Sequence, residues 1–365
     1  MSSSTSVRRH QALLQLFSHR QLRDSLSLAP QPSLRIALVA ALQAALAVLV
    51  ALAVARLSPW PQLVGYPALG ALAALFGRFA PVEKRMRIVV VCAALLALAV
   101  LIPSLASLAG APPWAMMVVL ALIAGGSTLV VSRWQLGGPG AVILVFAAGA
   151  SLAPVATWGA LGGRTLGTVA GGIVACLVCG ATDWMRRAEL PRIQMPAAAV
   201  PSLRAGWMAA GRITAGAGLS AAIAHALGWH HPAWAAIGAT AVMQGAHLHI
   251  TMNRALQRMA GTVVGAVVVG LILAQEPSFW WVAVCVVAFQ FVTEIIIGYN
   301  YALGQITVTP MALLMTHLAS PAASVGMPQE RVMDTILGAA LGIVFAVVFS
   351  SMDDRAHLRK MHQKQ

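Results

Sequence analysis

The sequence predicts an all-α polytopic membrane protein of about twelve transmembrane helices, arranged as two parallel six-helix repeats. Three observations predict it. First, 59% of the 365 residues are apolar and 9% are charged, with a mean hydropathy of +0.81. A soluble domain carries about 25% charged residues, so this chain lacks the polar groups to cover a water-facing surface. Second, apolar runs of spanning length recur from about residue 35 to residue 351. Third, segments of the second half repeat those of the first at a nearly constant offset.

The chain opens with a polar, Ser-rich stretch over residues 1–10. From Gln11 to Leu28, Leu13, Leu14, Leu16 and Phe17 alternate with Arg20, Arg23 and Asp24. That pattern fits a short amphipathic helix on the membrane surface; a tail with a few apolar residues fits it nearly as well. The first 35 residues contain no apolar core with a small-residue cleavage site, so no removable signal peptide is expected. A spanning helix needs about 20 apolar residues. First-half spans are expected near 35–56, 62–78, 87–103, 112–132, 139–155 and 164–181. Second-half spans are expected near 206–227, 232–249, 257–274, 278–298, 302–319 and 332–351. Pro67, Pro139, Pro154 and Pro310 interrupt several of these, which allows tilted or half-membrane elements. The units are then an N-terminal segment over 1–31, a first repeat over 32–181 and a linker over 182–200. A second repeat over 201–351 and a basic tail over 352–365 complete the chain.

The repeat is visible residue by residue. Pro32-Ser33-Leu34-Arg35 recurs as Pro201-Ser202-Leu203-Arg204, and Trp60 matches Trp229. Gly70 and Gly77 match Gly238 and Gly245, and Gly137 matches Gly304. Arg164, Thr168 and Gly171 match Arg331, Thr335 and Gly338. With six spans in each half the repeats run parallel, related by an axis along the membrane normal.

The formal net charge of +14 raises the question of nucleic acid, but the basic residues sit at helix ends rather than along one face, so no nucleic-acid partner is expected. With the N-terminus inside, 20 of the 24 Lys and Arg residues fall on the cytoplasmic side; Arg56, Arg164 and Arg331 fall outside, and Arg212 lies within a helix. This positive-inside bias predicts that both termini are cytoplasmic.

No enzyme is expected. The sequence lacks a P-loop, G-x-S-x-G and H-E-x-x-H. Cys176 and Cys179 form a C-x-x-C inside an apolar run with no second pair, and Cys92 and Cys285 are isolated. His230-His231 and His247-x-His249 lack acidic or Cys ligands at metal spacing. Neither a metal nor another cofactor is expected.

Charge within lipid is costly, about 2.5–3.5 kcal/mol at a helix centre, and therefore informative. Glu294 and Asp334 are the candidate proton carriers, although Asp334 lies three residues after Arg331 and a local ion pair accounts for it. Arg212, Arg254 and Arg258 are the candidates for attracting an anion, since a guanidinium grips a carboxylate through two parallel hydrogen bonds. Positive-inside anchoring accounts for Arg254 or Arg258 taken singly. Asn300 and Thr309, with Gln305 and His317, are candidates to line a path. Gly261 with Gly265, and Gly338 with Gly342, present small-residue faces for close helix packing. Trp234, Trp280, Trp281 and Tyr299 fit an interfacial aromatic belt.

The stretch His231 to Val269 carries P-x-W, an apolar helix and then R-x-x-x-R-x-x-G-T-x-x-G from Arg254 to Gly265. Asn300-Tyr301-Ala302 followed by Thr309-Pro310, and Arg331-x-x-Asp334-Thr335-x-x-Gly338, follow in order. Together they resemble the integral-membrane module of the fusaric-acid-resistance (FUSC-type) transporters over about 150 residues. The first half is a degenerate copy, with Gly167 where the second has Asp334. The resemblance implies export of aromatic carboxylic acids and related weak acids across the bacterial inner membrane. Plant aluminium-activated malate transporters look related, and in them two six-helix chains form the anion path. The partners expected are the lipid bilayer and a small organic anion, with a homo-oligomer or a periplasmic efflux partner left open. A non-transporting scaffold for envelope assembly or for an efflux system is the alternative.

Overall fold

The computed structural model describes residues 19–187, 200–245, 247–319 and 326–350. Within them lie α1 (His19–Ser25), α2 (Leu34–Leu57), α3 (Gly65–Ala71, continued by a 3-10 turn over Leu72–Leu75), α4 (Val82–Leu108), α5 (Pro113–Arg133), α6 (Ala141–Ala150) and α7 (Trp158–Thr182). The second half holds α8 (Leu203–Ala226), α9 (Ala233–Met243), α10 (Leu248–Leu273), α11 (Phe279–Ile296), α12 (Tyr301–Ala319) and α13 (Met327–Val348). The expected amphipathic helix is seen only as α1. Residues 11–18, most of the expected linker (188–199) and the basic tail (352–365) lie outside the described residues.

The recurring Pro-Ser-Leu-Arg is a helix start signal in both places. Ser33 Oγ accepts from the Ile36 amide and Ser202 Oγ from the Ala205 amide, each at 3.3 Å, capping α2 and α8. Thr157 and Ser278 cap α7 and α11 in the same way.

Eight of these helices have the length and hydropathy to cross a bilayer: α2, α4, α5, α7, α10, α11, α12 and α13. The chain is thus a multi-pass membrane protein, but the expected twelve full spans are not all present. At 24 residues α8 is long enough, yet it is less apolar than those eight. The remaining three, α3, α6 and α9, are short. The 11 residues of α9 rise about 16 Å, half of a roughly 30 Å hydrocarbon core. A half-length helix leaves end amides and carbonyls at membrane depth, where lipid cannot satisfy them. Every residue of α9 is accordingly buried in protein. Pro67 within α3, and Pro139 and Pro154 flanking α6, mark these short elements; Pro310 sits inside α12 without ending it.

Close packing holds the short helices in place. The pairs α3 with α7 and α9 with α13 are in extensive contact. A Cβ added at Gly171 would lie 1.8 Å from the Pro67 carbonyl oxygen, and one at Gly338 2.2 Å from the Ala235 carbonyl oxygen. Between α10 and α12 the same rule holds: a Cβ at Gly261 would meet the Ala302 oxygen at 2.5 Å, and one at Gly265 the Thr309 Cβ at 2.7 Å. Gly342 is looser, its nearest neighbour being Val242 Cγ1 at 3.1 Å.

The two halves meet through α5 against α8 and α2 against α11, with α6 touching α9 and α3 touching α12. One continuous apolar core runs across the junction, from Ala44 to Met327. Leu98, Leu122, Leu177, Leu271, Val284 and Val344 face outward and contact the bilayer.

Candidate functional site

The charges that sequence spreads over 80 residues converge inside the second half. Arg254 and Arg258 both lie on α10, already helical from Leu248, so the spacing of four puts them on one face. Arg254 is half-buried at the surface. Arg258 is 2% exposed and its Nη1 donates to the Tyr301 hydroxyl on α12 at 3.0 Å. Its Nε has no hydrogen-bond partner.

From α13, Arg331 reaches the same region. It is 2% exposed, its guanidinium lies 5.2 Å over the Trp234 ring, and its Nε and Nη1 have no hydrogen-bond partner. Arg258, Asp334 and Tyr301 are the ionisable groups close enough to act on it electrostatically. Asp334 is fully buried, yet neither carboxylate oxygen has a hydrogen-bond partner. The local Arg331–Asp334 ion pair that the three-residue spacing allows is not formed. Thr262 on α10, Gln305 and Thr309 on α12, and Thr335 on α13 add buried polar oxygens without partners.

The first half handles buried charge differently. There Arg85 Nη1 and Arg186 Nη1 each bind Asp183 Oδ1 at 2.9 Å, and Arg186 also donates to the carbonyls of Gly77 and Arg78. Those charges are paired and capped. In the second half Arg331 has a second guanidinium, Arg258, and one carboxyl, Asp334, as electrostatic neighbours, and Arg258 Nε and Arg331 Nε and Nη1 have no hydrogen-bond partner. Burying such groups without partners costs several kcal/mol per ion, a cost that a ligand with complementary charge removes. Guanidinium N–H groups donate to anions, and low local dielectric strengthens such a contact, so the arrangement has the chemistry to hold an anion.

At the N-terminal end of α13, Glu330 receives two imidazoles. His231 Nδ1 lies 2.8 Å from Oε2, and His230 Nδ1 contacts Oε1. The Glu330 hydrogen bond, reinforced by its charge, raises the His230 pKa above its ordinary value. His231 in turn stacks on Trp234 at 4.1 Å. Trp234 is therefore 6% exposed and part of the site, not of an interfacial belt; Trp280 and Trp281 are exposed as a belt requires.

Other candidates take structural partners. Arg212 Nη2 donates to the Met243 carbonyl at 3.3 Å, capping the end of α9. Glu294 pairs with Arg78 at 3.6 Å, tying α11 to the loop before α4. Burial lowers the Arg78 pKa more than Glu294 raises it. Asn300 does not point into the cluster: its Nδ2 donates to the carbonyls of Ser25 and Ser27, and its Oδ1 accepts from the Ala302 amide. Sequence reasoning missed Arg331 because it falls on the outer side, Tyr301 because it was one of a motif, and Trp234 because aromatic residues near span ends fit a belt.

Residues 219–345 match the family model described as fusaric acid resistance protein-like. The membrane protein YvaC of Bacillus subtilis (strain 168) is 35% identical over 120 residues, which is 33% of this chain and 19% of that relative. The chain thus matches about a fifth of the length of this curated relative. No solved structure matches. The matched residues contain α9 to α12 and all the buried charges of the cluster, so the stretch that is similar to the fusaric-acid-resistance-like membrane proteins is the one that carries the site.

Proposed function

We propose that the protein is an exporter, or channel-like transporter, for organic carboxylate anions in a bacterial inner membrane, with aromatic acids the favoured substrates. One observation supports the reading: buried Arg258 of α10 and Arg331 of α13 lie close enough to act on each other electrostatically, beside Tyr301 of α12, and each has a guanidinium nitrogen without a partner. Trp234 and Tyr301 at the same place suit an acid that carries a ring. Arg254, half-buried at the inner end of α10, draws the anion from the cytoplasm. An inside-negative potential drives an anion outward with about 2.3 kcal/mol per charge per 100 mV, so no further coupling is required. Asp334 is the residue for proton coupling where coupling occurs. Glu294 is held by Arg78 and serves structure.

Both termini lie in the cytoplasm on this reading. The six-and-six helix order and the paired α3–α7 and α9–α13 contacts support an internally repeated molecule in which the first half is the braced partner. The chain performs no covalent chemistry. The test is flux of benzoate-type and dicarboxylic acids into proteoliposomes under a set potential. Folded protein that moves none of them under any potential assigns the chain instead to a scaffold role.

A further inference from the structure

The inner end of the second half is covered by the chain's own N-terminal segment. Residues 19–33 form a strap, α1 followed by an extended stretch into the Ser33 cap of α2. The strap lies against α10 and the start of α12. Gln21 Nε2 donates to the His249 carbonyl at 3.0 Å and to Asn253 Oδ1 at 2.6 Å. Gln257 Nε2 donates to the Ser25 carbonyl at 2.7 Å, and Asn300 Nδ2 to Ser25 and Ser27 at 3.1 and 2.9 Å. The Ala29 amide donates to the Tyr299 carbonyl at 2.8 Å.

Two features set this segment apart from an ordinary packed terminus. It is fastened by polar contacts, while Leu26 and Leu28 point away at 77% and 68% exposed. Hydrogen bonds exchange readily with water, whereas buried apolar anchors do not. Its attachment points also directly precede the site: Gln257 is next to Arg258, and Asn300 is next to Tyr301, the pair joined at 3.0 Å. The strap therefore lies on the cytoplasmic side of the Arg258–Tyr301 bond.

Resting on the transport reading above, we propose that residues 19–33 are an autoinhibitory latch over the cytoplasmic mouth. In the latched state the strap carbonyls occupy the amide donors of Gln257 and Asn300. Release frees those donors and opens the approach from Arg254 to Arg258.

Two measurements test the latch. In the first, Thr262→Cys, one turn beyond Arg258, is introduced into protein whose Cys92, Cys176, Cys179 and Cys285 are replaced by Ser or Ala. Its labelling by an anionic methanethiosulfonate from the cytoplasmic side is compared with and without Gln21→Ala and Gln257→Ala. Labelling is expected to accelerate about fivefold for each hydrogen bond removed. This readout needs no transport. In the second, a Gln21→Cys/Asn253→Cys pair is joined by copper-phenanthroline oxidation and separated by dithiothreitol, with anion flux measured in both states. The disulfide is expected to suppress flux and reduction to restore it. Unchanged labelling, or flux indifferent to the disulfide, overturns the latch and leaves transport standing. Faster labelling in protein that moves no anion keeps the latch and overturns the transport reading.

Discussion

Arg258 and Arg331 differ from other buried arginines of this chain in what their nitrogens touch. Arg85 and Arg186 share the Asp183 carboxylate, whereas Arg258 donates to a neutral tyrosine hydroxyl and Arg331 has an aromatic face and an unpartnered Nη1. Given the proposed anion site, substituting Arg258 or Arg331 by Ala removes a charge-assisted contact worth about 1.5–3 kcal/mol and is expected to lower flux about 10- to 100-fold. Asp334→Asn removes a buried charge without changing shape. Thermal unfolding in detergent is expected to show unchanged or higher stability, because an unpartnered carboxylate costs more to bury than an amide. A marked loss of stability would mean that Asp334 is firmly paired. At the outer surface the sign of the pH effect follows from His230. Its folded pKa is raised above the ordinary value of about 6.5, so its bond to Glu330 stabilises fully below that value and is lost as pH rises through the raised one. The stability gap between wild type and Glu330→Gln is therefore expected to be widest in acid and to shrink in alkali, as read by melting curves across that window.

At the scale of helices, small residues decide which elements approach. Gly338 and Gly261 admit no Cβ, with backbone oxygens at 2.2 and 2.5 Å, while Gly342 meets only a valine methyl at 3.1 Å. Gly338→Ala and Gly261→Ala are expected to destabilise by about 1–3 kcal/mol or more, and Gly342→Ala by less than about 1 kcal/mol, in unfolding titrations. Equal effects at the three would contradict the packing described. Most of this was legible in sequence, since small residues four apart in an apolar helix have few other uses in lipid. Half-length α3, α6 and α9 were only hinted at by Pro67, Pro139 and Pro154. Apolar composition cannot separate a helix encased in protein from one facing lipid, and α9 is apolar on every side because it is buried on every side. For the same reason Trp234 fitted a belt, although burial beneath His231 and Arg331 is what holds it.

Over the whole molecule the two halves divide the work. The first half closes its buried charge through Arg85, Asp183 and Arg186, and Arg78 reaches across to Glu294 and Gln31. Glu294→Gln is expected to cost about 2–4 kcal/mol by stranding Arg78, while leaving the pH dependence of flux intact. Loss of that pH dependence with stability preserved would make Glu294 a proton carrier. The second half keeps the unspent charge. Sequence reasoning named Arg258 as an anion candidate and Asp334 as a proton-carrier candidate, but treated Arg331 only as a local partner of Asp334 and did not join the three. Their juxtaposition depends on α10 and α13 crossing, and no local spacing encodes it. The most direct test is potential-driven uptake of an aromatic carboxylate into proteoliposomes by wild type, Arg258→Ala and Arg331→Ala. Flux in wild type that each substitution lowers about 10- to 100-fold in folded protein is the expected result. Flux that persists undiminished in both variants would contradict a two-arginine anion site at the centre of this protein.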